Sequence, residues 1–164
     1  LMHSLGAKVY GVNRGIHEKP GYVEMLYTTK DMDKALAIAD VVAITLPETK
    51  ETYHMFDYAK LHKIKEGAIL MNIGRGTLII ENDLIKTMQE HYLDSVYLDV
   101  CEIEPLPQTS ELWKLDNAYI TPHITGGRSS DISVKNVEDI FYRNLVHYLN
   151  NEELENIVDK KRGY

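Results

Sequence analysis

The sequence predicts an α/β fold, a doubly wound parallel sheet, and three features predict it. Short apolar runs of strand length alternate along the chain with segments whose apolar residues recur every three or four positions. The turns between them are short, and that alternation winds a parallel sheet through right-handed crossovers. The runs at 41–46 (VVAITL) and 68–72 (AILMN) are continuously apolar, as in strands buried on both faces of such a sheet.

Each element follows in order. Residues 1–5 read as the last turns of a helix that stops at Gly6, a residue suited to helix ends. Residues 7–13 (AKVYGVN) form a short β-prone strand. Residues 31–39 have helical spacing, with Met32, Ala35, Leu36 and Ala39 on one side and Asp31 as N-cap. The strand at 41–46 is closed by Pro47, and 58–64 is a short helical piece. The strand at 68–72 ends in the turn Gly74-Arg75-Gly76. Residues 82–91 form a helix with Leu84, Ile85 and Met88 inward, then come strands at 95–99 (SVYLD) and 118–121. A long amphipathic helix at 131–149 carries Val134, Val137, Phe141, Leu145 and Tyr148 on one face. The polar tail 150–164 is expected to fray or to dock on another domain.

Bulk properties exclude several classes. At 164 residues, 44% hydrophobic and 26% charged, the chain has the size and make-up of one globular domain with a proper core. No apolar run approaches the roughly 20 residues that cross a bilayer, so no membrane partner is expected. A net charge of -7 repels phosphates, which argues against nucleic acid. The single cysteine, Cys101, excludes an intrachain disulfide and fits a cytoplasmic location. No set of histidine, cysteine and carboxylate has metal-ligand spacing, so no metal is expected.

Ligands of open α/β sheets bind beyond the carboxyl ends of the strands. The segments there are Asn13-Arg14, residues 47–49, 73–76, 99–104 and Pro122-His123, and they should converge on one crevice. Arg75, held between two glycines after a buried strand, can turn its guanidinium inward and fork onto a carboxylate; alone, it fits a surface arginine equally well. His123 can exchange a proton with a reacting oxygen near neutral pH. Pro122 biases the residue before it to an extended conformation. The other six histidines are assigned to surface or packing roles. Glu104 can hold one tautomer of the imidazole and favour its protonated form. Glu102 competes for that role, with Pro105 favouring Glu104.

Together these segments resemble a known family. NIGRG (72–76), YLDVCEIEPLP (97–107), LWKLDNAYITPHITGG (112–127) and NIVDKKRGY (156–164) are similar to the D-isomer-specific 2-hydroxyacid dehydrogenases, in order and with matching spacing over nearly the whole chain. DVVAITLPETKETYHMF (40–56) resembles that family's adenine-side loop. The resemblance implies a Rossmann-like nucleotide-binding domain over 1–127. The helix and tail, 128–164, would return to a substrate domain. Arg75 would anchor the substrate carboxylate, with His123 as acid/base and Glu104 as its partner. Cofactor contacts would fall at Asn13, Arg14, Leu46, Pro47, Thr52, Ile73, Gly74, Asp99 and Gly126, with Asp99 meeting the nicotinamide carboxamide. A homodimer acting on a small 2-oxo or 2-hydroxy acid is implied. Cys101 stands where the family often has an aromatic ring, and a packing role is expected. Trp113 is expected to pack within the LWKL segment.

Two departures from the family pattern shape the expectations. The glycine-rich phosphate loop should lie about 20 residues before the ribose-binding position. Counting back from Asn13 passes Leu1, so the domain is expected to be N-terminally incomplete, lacking its first strand and that loop, and inactive as this chain alone. Enzymes selecting NAD usually place a carboxylate at the end of the strand that Asn13 closes. Asn13 removes its repulsion of a 2′-phosphate and Arg14 adds a positive charge, so the cofactor is NAD or NADP with a lean to NADP. A nucleotide-sensing, corepressor-like protein of the same fold is the alternative reading. Retention of Arg75, Glu104 and His123 together favours catalysis, since a sensor needs none of them.

Overall fold

A computed structural model describes residues 1–15, 18–126 and 131–161, apart from the side chains of Asp131 and Ile132. The expected domain boundary at 127/128 and the end of the tail lie outside the described residues. Along the chain run β1 (Tyr10–Asn13), β2 (Met25–Thr28), α1 (Met32–Leu36), β3 (Val41–Ile44), α2 (Tyr58–Leu61), β4 (Ile69–Asn72), α3 (Glu81–Gln89), β5 (Ser95–Leu98), β6 (Ala118–Ile120) and α4 (Asp131–Leu149). Every ladder is parallel. The strands form a two-stranded sheet, β1-β2, and a four-stranded sheet in the order β3-β4-β5-β6. An apolar groove lined by Val12, Leu36, Val42 and Ile44 separates β1 from β3.

The core explains why these segments fold. Val42, Ile44, Leu70, Val96 and Leu98 of the sheet join Leu61, Ile64, Leu84, Ile85 and Met88 in one buried cluster. Asp57 caps α2 by accepting the Lys60 N–H at 2.8 Å. Glu81 and Asp83 in the first turn of α3 complement its dipole, and Asp83 also accepts the Tyr58 N–H at 2.9 Å.

Several expectations need correction. β3 is not buried on both faces: Val42 and Ile44 are covered, whereas Val41 is 49% exposed. Tyr97 and Tyr119, stacked at 4.7 Å, mark the same open side further along the sheet. A continuous apolar run cannot by itself say which of its faces is covered. β2 was not anticipated from the sequence; it is short and recognisable only by its pairing. Its Leu26 packs so closely on Gly11 that a Cβ there would lie 2.8 Å from Leu26 Cδ1. Residues 3–5 form a single 3-10 turn ended by Gly6 at φ 87°. Asp31 precedes α1 without a side-chain capping bond, its carboxylate being taken by Lys34 at 2.7 Å and the Thr28 hydroxyl at 3.3 Å.

α4 spans the expected residues, but Val137, Phe141 and Tyr148 of its apolar face are exposed. At Glu155 the tail lies against the helix. It folds back so that Arg143 grips the Glu155 carboxylate at 3.0 Å, while Asn144 bonds the Glu155 backbone in both directions.

Register positions the site. Ile44 pairs with Asn72, Asn72 with Leu98, and Leu98 with Ile120, so four strands end level with one another. The chain therefore leaves the sheet along one edge at residues 45, 73, 99 and 121.

Candidate active site

The turn after β4 is shaped by contact rather than by unusual backbone angles. A Cβ on Gly74 would lie 2.7 Å from the Leu46 carbonyl oxygen, and one on Gly76 would lie 1.8 Å from that of Cys101. The two glycines let the segment lie flush between the strand ends on either side. Asn72, 1% exposed, fixes it from below. Its amide donates to the Arg75 carbonyl at 2.9 Å and its oxygen accepts the Gly74 N–H at 3.1 Å. The Arg75 side chain is exposed, its guanidinium donating to the Gly74 carbonyl at 2.8 Å.

After β6, His123 adopts a left-handed conformation at φ 53°, a strained choice for a residue other than glycine. Asp99 holds it there. The Asp99 carbonyl accepts the His123 N–H at 2.9 Å. Its carboxylate accepts the Thr121 hydroxyl at 2.5 Å, the Ile124 N–H at 3.0 Å and the Thr125 N–H at 2.7 Å. Burial pushes the Asp99 carboxyl up, but the Thr121 hydroxyl and these amides outweigh it and hold it below the usual carboxylate range.

The imidazole of His123 meets Glu104, with Nδ1 2.8 Å from Oε2. The other Glu104 oxygen accepts the Cys101 N–H at 3.0 Å. Partial burial raises the Glu104 carboxyl, whereas the His123 ring and the Cys101 amide lower it further, leaving it below its ordinary value. This arrangement can hold Nε2 of His123 toward an incoming group. Glu104 and His123, with Asp99, Pro105, Leu106 and Trp113, line a cavity of 490 Å³. Glu102 takes a different partner, His54, at 2.8 Å.

The structure thus joins His123 to Glu104. Arg75 stands on the same sheet edge but has no described contact with either. Of the other expected positions, Asn13 accepts the Gly15 N–H at 2.7 Å just past β1, and Arg14 lies 3.6 Å from Glu51 in an exposed pair. Thr52 is buried, donating to the Pro47 carbonyl and accepting the Thr49 N–H, each at 2.7 Å. It fixes the loop that follows Leu46. Ile73 is 37% exposed beside Gly74, and Gly126 turns at φ 73°. Trp113 is half-exposed, donating its ring N–H to the Pro107 carbonyl at 3.0 Å. Burial pushes the Cys101 thiol up to about 11, with Glu81 and Glu104 adding to the effect. That supports packing over reactivity. Asn72, Thr121 and the His54–Glu102 pair were missed by sequence reasoning. A polar residue closing an otherwise apolar strand, as in AILMN, was the available signal for Asn72.

The model of the D-isomer specific 2-hydroxyacid dehydrogenase NAD binding domain matches residues 1–125. The chain belongs to this family. A glyoxylate/hydroxypyruvate reductase B from Yersinia pseudotuberculosis is 41% identical over 128 residues, 78% of this chain and 39% of that protein. A glyoxylate reductase from Thermofilum pendens is 36% identical over 132 residues, 80% of this chain and 38% of that protein. The chain therefore spans about two fifths of the length of these relatives. Among solved structures, a D-isomer specific 2-hydroxyacid dehydrogenase from Xanthobacter autotrophicus in complex with NADPH superposes with a TM-score of 0.91 at 28% identity, covering 99% of this chain and 65% of the other. An NADPH-dependent glyoxylate/hydroxypyruvate reductase from Sinorhizobium meliloti in complex with NADP gives 0.87 at 28% identity, covering 98% and 51%.

Proposed function

We propose that this dehydrogenase chain serves the reduction of a small 2-oxo acid to its D-2-hydroxy acid with NADPH, in a cytoplasmic homodimer. The observation that carries the reading is the His123–Glu104 pair at 2.8 Å, facing a cavity at the carboxyl edge of the sheet. The relatives named as glyoxylate and hydroxypyruvate reductases support short, polar 2-oxo acids as substrates.

The residues present fit a nicotinamide cofactor. The ionised Asp99 carboxylate lines the same cavity as Glu104 and His123, and it takes the Thr121 hydroxyl, the Ile124 amide and both the amide and the hydroxyl of Thr125. A carboxamide N–H would take the place of the Thr125 hydroxyl on it. At the far end of the crevice, Asn13 presents no negative charge to a 2′-phosphate and Arg14 supplies a positive one, which supports NADP. The bound cofactor supplies the hydride chemistry.

This chain's own residues bind and move the proton. The Arg75 guanidinium exchanges its bond to Gly74 for a forked pair on the substrate carboxylate. Glu104 keeps the imidazole oriented through Nδ1, so that the proton His123 gives up is the one on Nε2. As negative charge grows on the substrate's carbonyl oxygen, His123 donates that proton. The test is glyoxylate- and hydroxypyruvate-dependent consumption of NADPH and NADH by the protein at its natural length. Turnover preferring NADPH is expected; activity only with NADH overturns the cofactor assignment, and no turnover of either acid overturns the substrate class.

A further inference from the structure

A second histidine–carboxylate pair stands beside the site and has no role in the chemistry above. His54 Nε2 lies 2.8 Å from Glu102 Oε1, with both side chains about three-quarters buried. The remaining Glu102 oxygen accepts the Glu81 N–H at 2.8 Å at the start of α3. His54 also donates its backbone N–H to the Thr77 carbonyl at 2.8 Å. Phe56 continues that contact, donating to Leu78 at 2.9 Å and accepting from Ile80 at 3.2 Å. Tyr53 stacks on the His54 ring at 3.9 Å, limiting its rotation.

These contacts surround the Arg75 turn. On one side the 54–56 loop is hydrogen-bonded to residues 77–80. On the other, Gly76 is pressed against the Cys101–Glu102 peptide. The His54–Glu102 bond ties those two walls together across the segment that carries Arg75. Glu102 is also two residues from Glu104, so the same tie fixes the turn from which Glu104 reaches His123. We infer that His54 and Glu102 are positioning residues, a brace that sets Arg75 in register with the Glu104–His123 pair. The inference rests on the proposed role of Arg75 as the substrate-carboxylate anchor.

A brace of this kind works on placement, not on proton transfer. Misplacement by about 1 Å costs on the order of a hundredfold in rate, and loosening one side of the turn should cost less than that. In the natural-length protein, His54→Ala is expected to raise KM for glyoxylate about tenfold while leaving KM for NADPH within about twofold. His54→Gln, whose side-chain amide can donate to Glu102 from nearly the same place, is expected to restore most of the loss. Amide hydrogen exchange read in parallel should quicken at 74–80 and 101–104 in His54→Ala and recover in His54→Gln. Unchanged exchange and an unchanged KM in His54→Ala overturn the brace, as does a His54→Gln variant as impaired as His54→Ala. A wild-type protein that turns over no 2-oxo acid defeats the functional reading instead, and the exchange comparison still decides whether the brace exists.

Discussion

Replacing Gly76 by alanine perturbs the site at one atom. The added Cβ would sit 1.8 Å from the Cys101 carbonyl oxygen, 2.1 Å from its carbon and 2.7 Å from the Glu102 nitrogen, all backbone. Opening the nearest contact from 1.8 to 3.0 Å, the lower limit of real Cβ contacts, requires a displacement of about 1.2 Å. No flexible side-chain end is available to absorb it. The turn bearing Arg75 must therefore part from the strand end bearing Glu104. Overpacking of this kind costs about 1–3 kcal/mol of stability, and a shift of about 1 Å at reacting groups costs on the order of a hundredfold in rate. Urea unfolding followed by Trp113 fluorescence gives the first quantity, and kcat/KM for glyoxylate the second. Gly21→Ala is the control, since nothing lies within 4 Å of its Cβ position and its φ is ordinary. Gly76→Ala matching that control in both assays would refute the argument that close packing sets the turn.

Further outcomes follow from the same contacts. Asp99→Asn turns an acceptor into a donor facing the Thr121 hydroxyl and the Ile124 and Thr125 amides. It should cost about 1–3 kcal/mol in urea unfolding and slow turnover by releasing His123 from its left-handed conformation. Because the folded Asp99 and Glu104 carboxyls are depressed, their stabilisation is complete above the ordinary carboxylate range. It is lost as pH falls through the depressed values. An acid titration of stability should therefore flatten in an Asp99→Asn, Glu104→Gln double variant. The Cys101 thiol, buried and pushed up to about 11, should resist alkylation at pH near 8 in the native protein and react on unfolding; rapid native labelling would contradict its burial. Arg14→Asp should shift the ratio of kcat/KM for NADPH over NADH toward NADH by about tenfold or more, and an unmoved ratio would remove Arg14 from cofactor selection.

Most of the fold was legible because its signals are local. Leu84, Ile85 and Met88 repeat at helical spacing and do face the core, and α4 begins and ends where its apolar period does. β2 was not legible, since four residues paired to β1 carry no period of their own. The open face of β3 was hidden for a related reason: apolarity predicts a preference for burial, not the presence of a covering element. In the site, the choice of Glu104 over Glu102 for the histidine could be argued from the adjoining proline, and the contact at 2.8 Å agrees. The second pair could not be foreseen. His54 and Glu102 are 48 residues apart and meet only because β3, β4 and β5 end level. The glycines of the GRG turn suggested a tight bend, whereas the structure uses them for close approach to Leu46 and Cys101.

In the proposed function, His123, oriented by Glu104, delivers the proton while Arg75 holds the acid. The most direct measurement is glyoxylate reduction by the natural-length protein carrying His123→Gln or Arg75→Ala, with NADPH binding measured alongside. His123→Gln is expected to lower kcat by about a hundredfold or more, Arg75→Ala to act mainly through a raised KM for glyoxylate, and both to still bind NADPH. A His123→Gln protein turning over at the wild-type rate would contradict it.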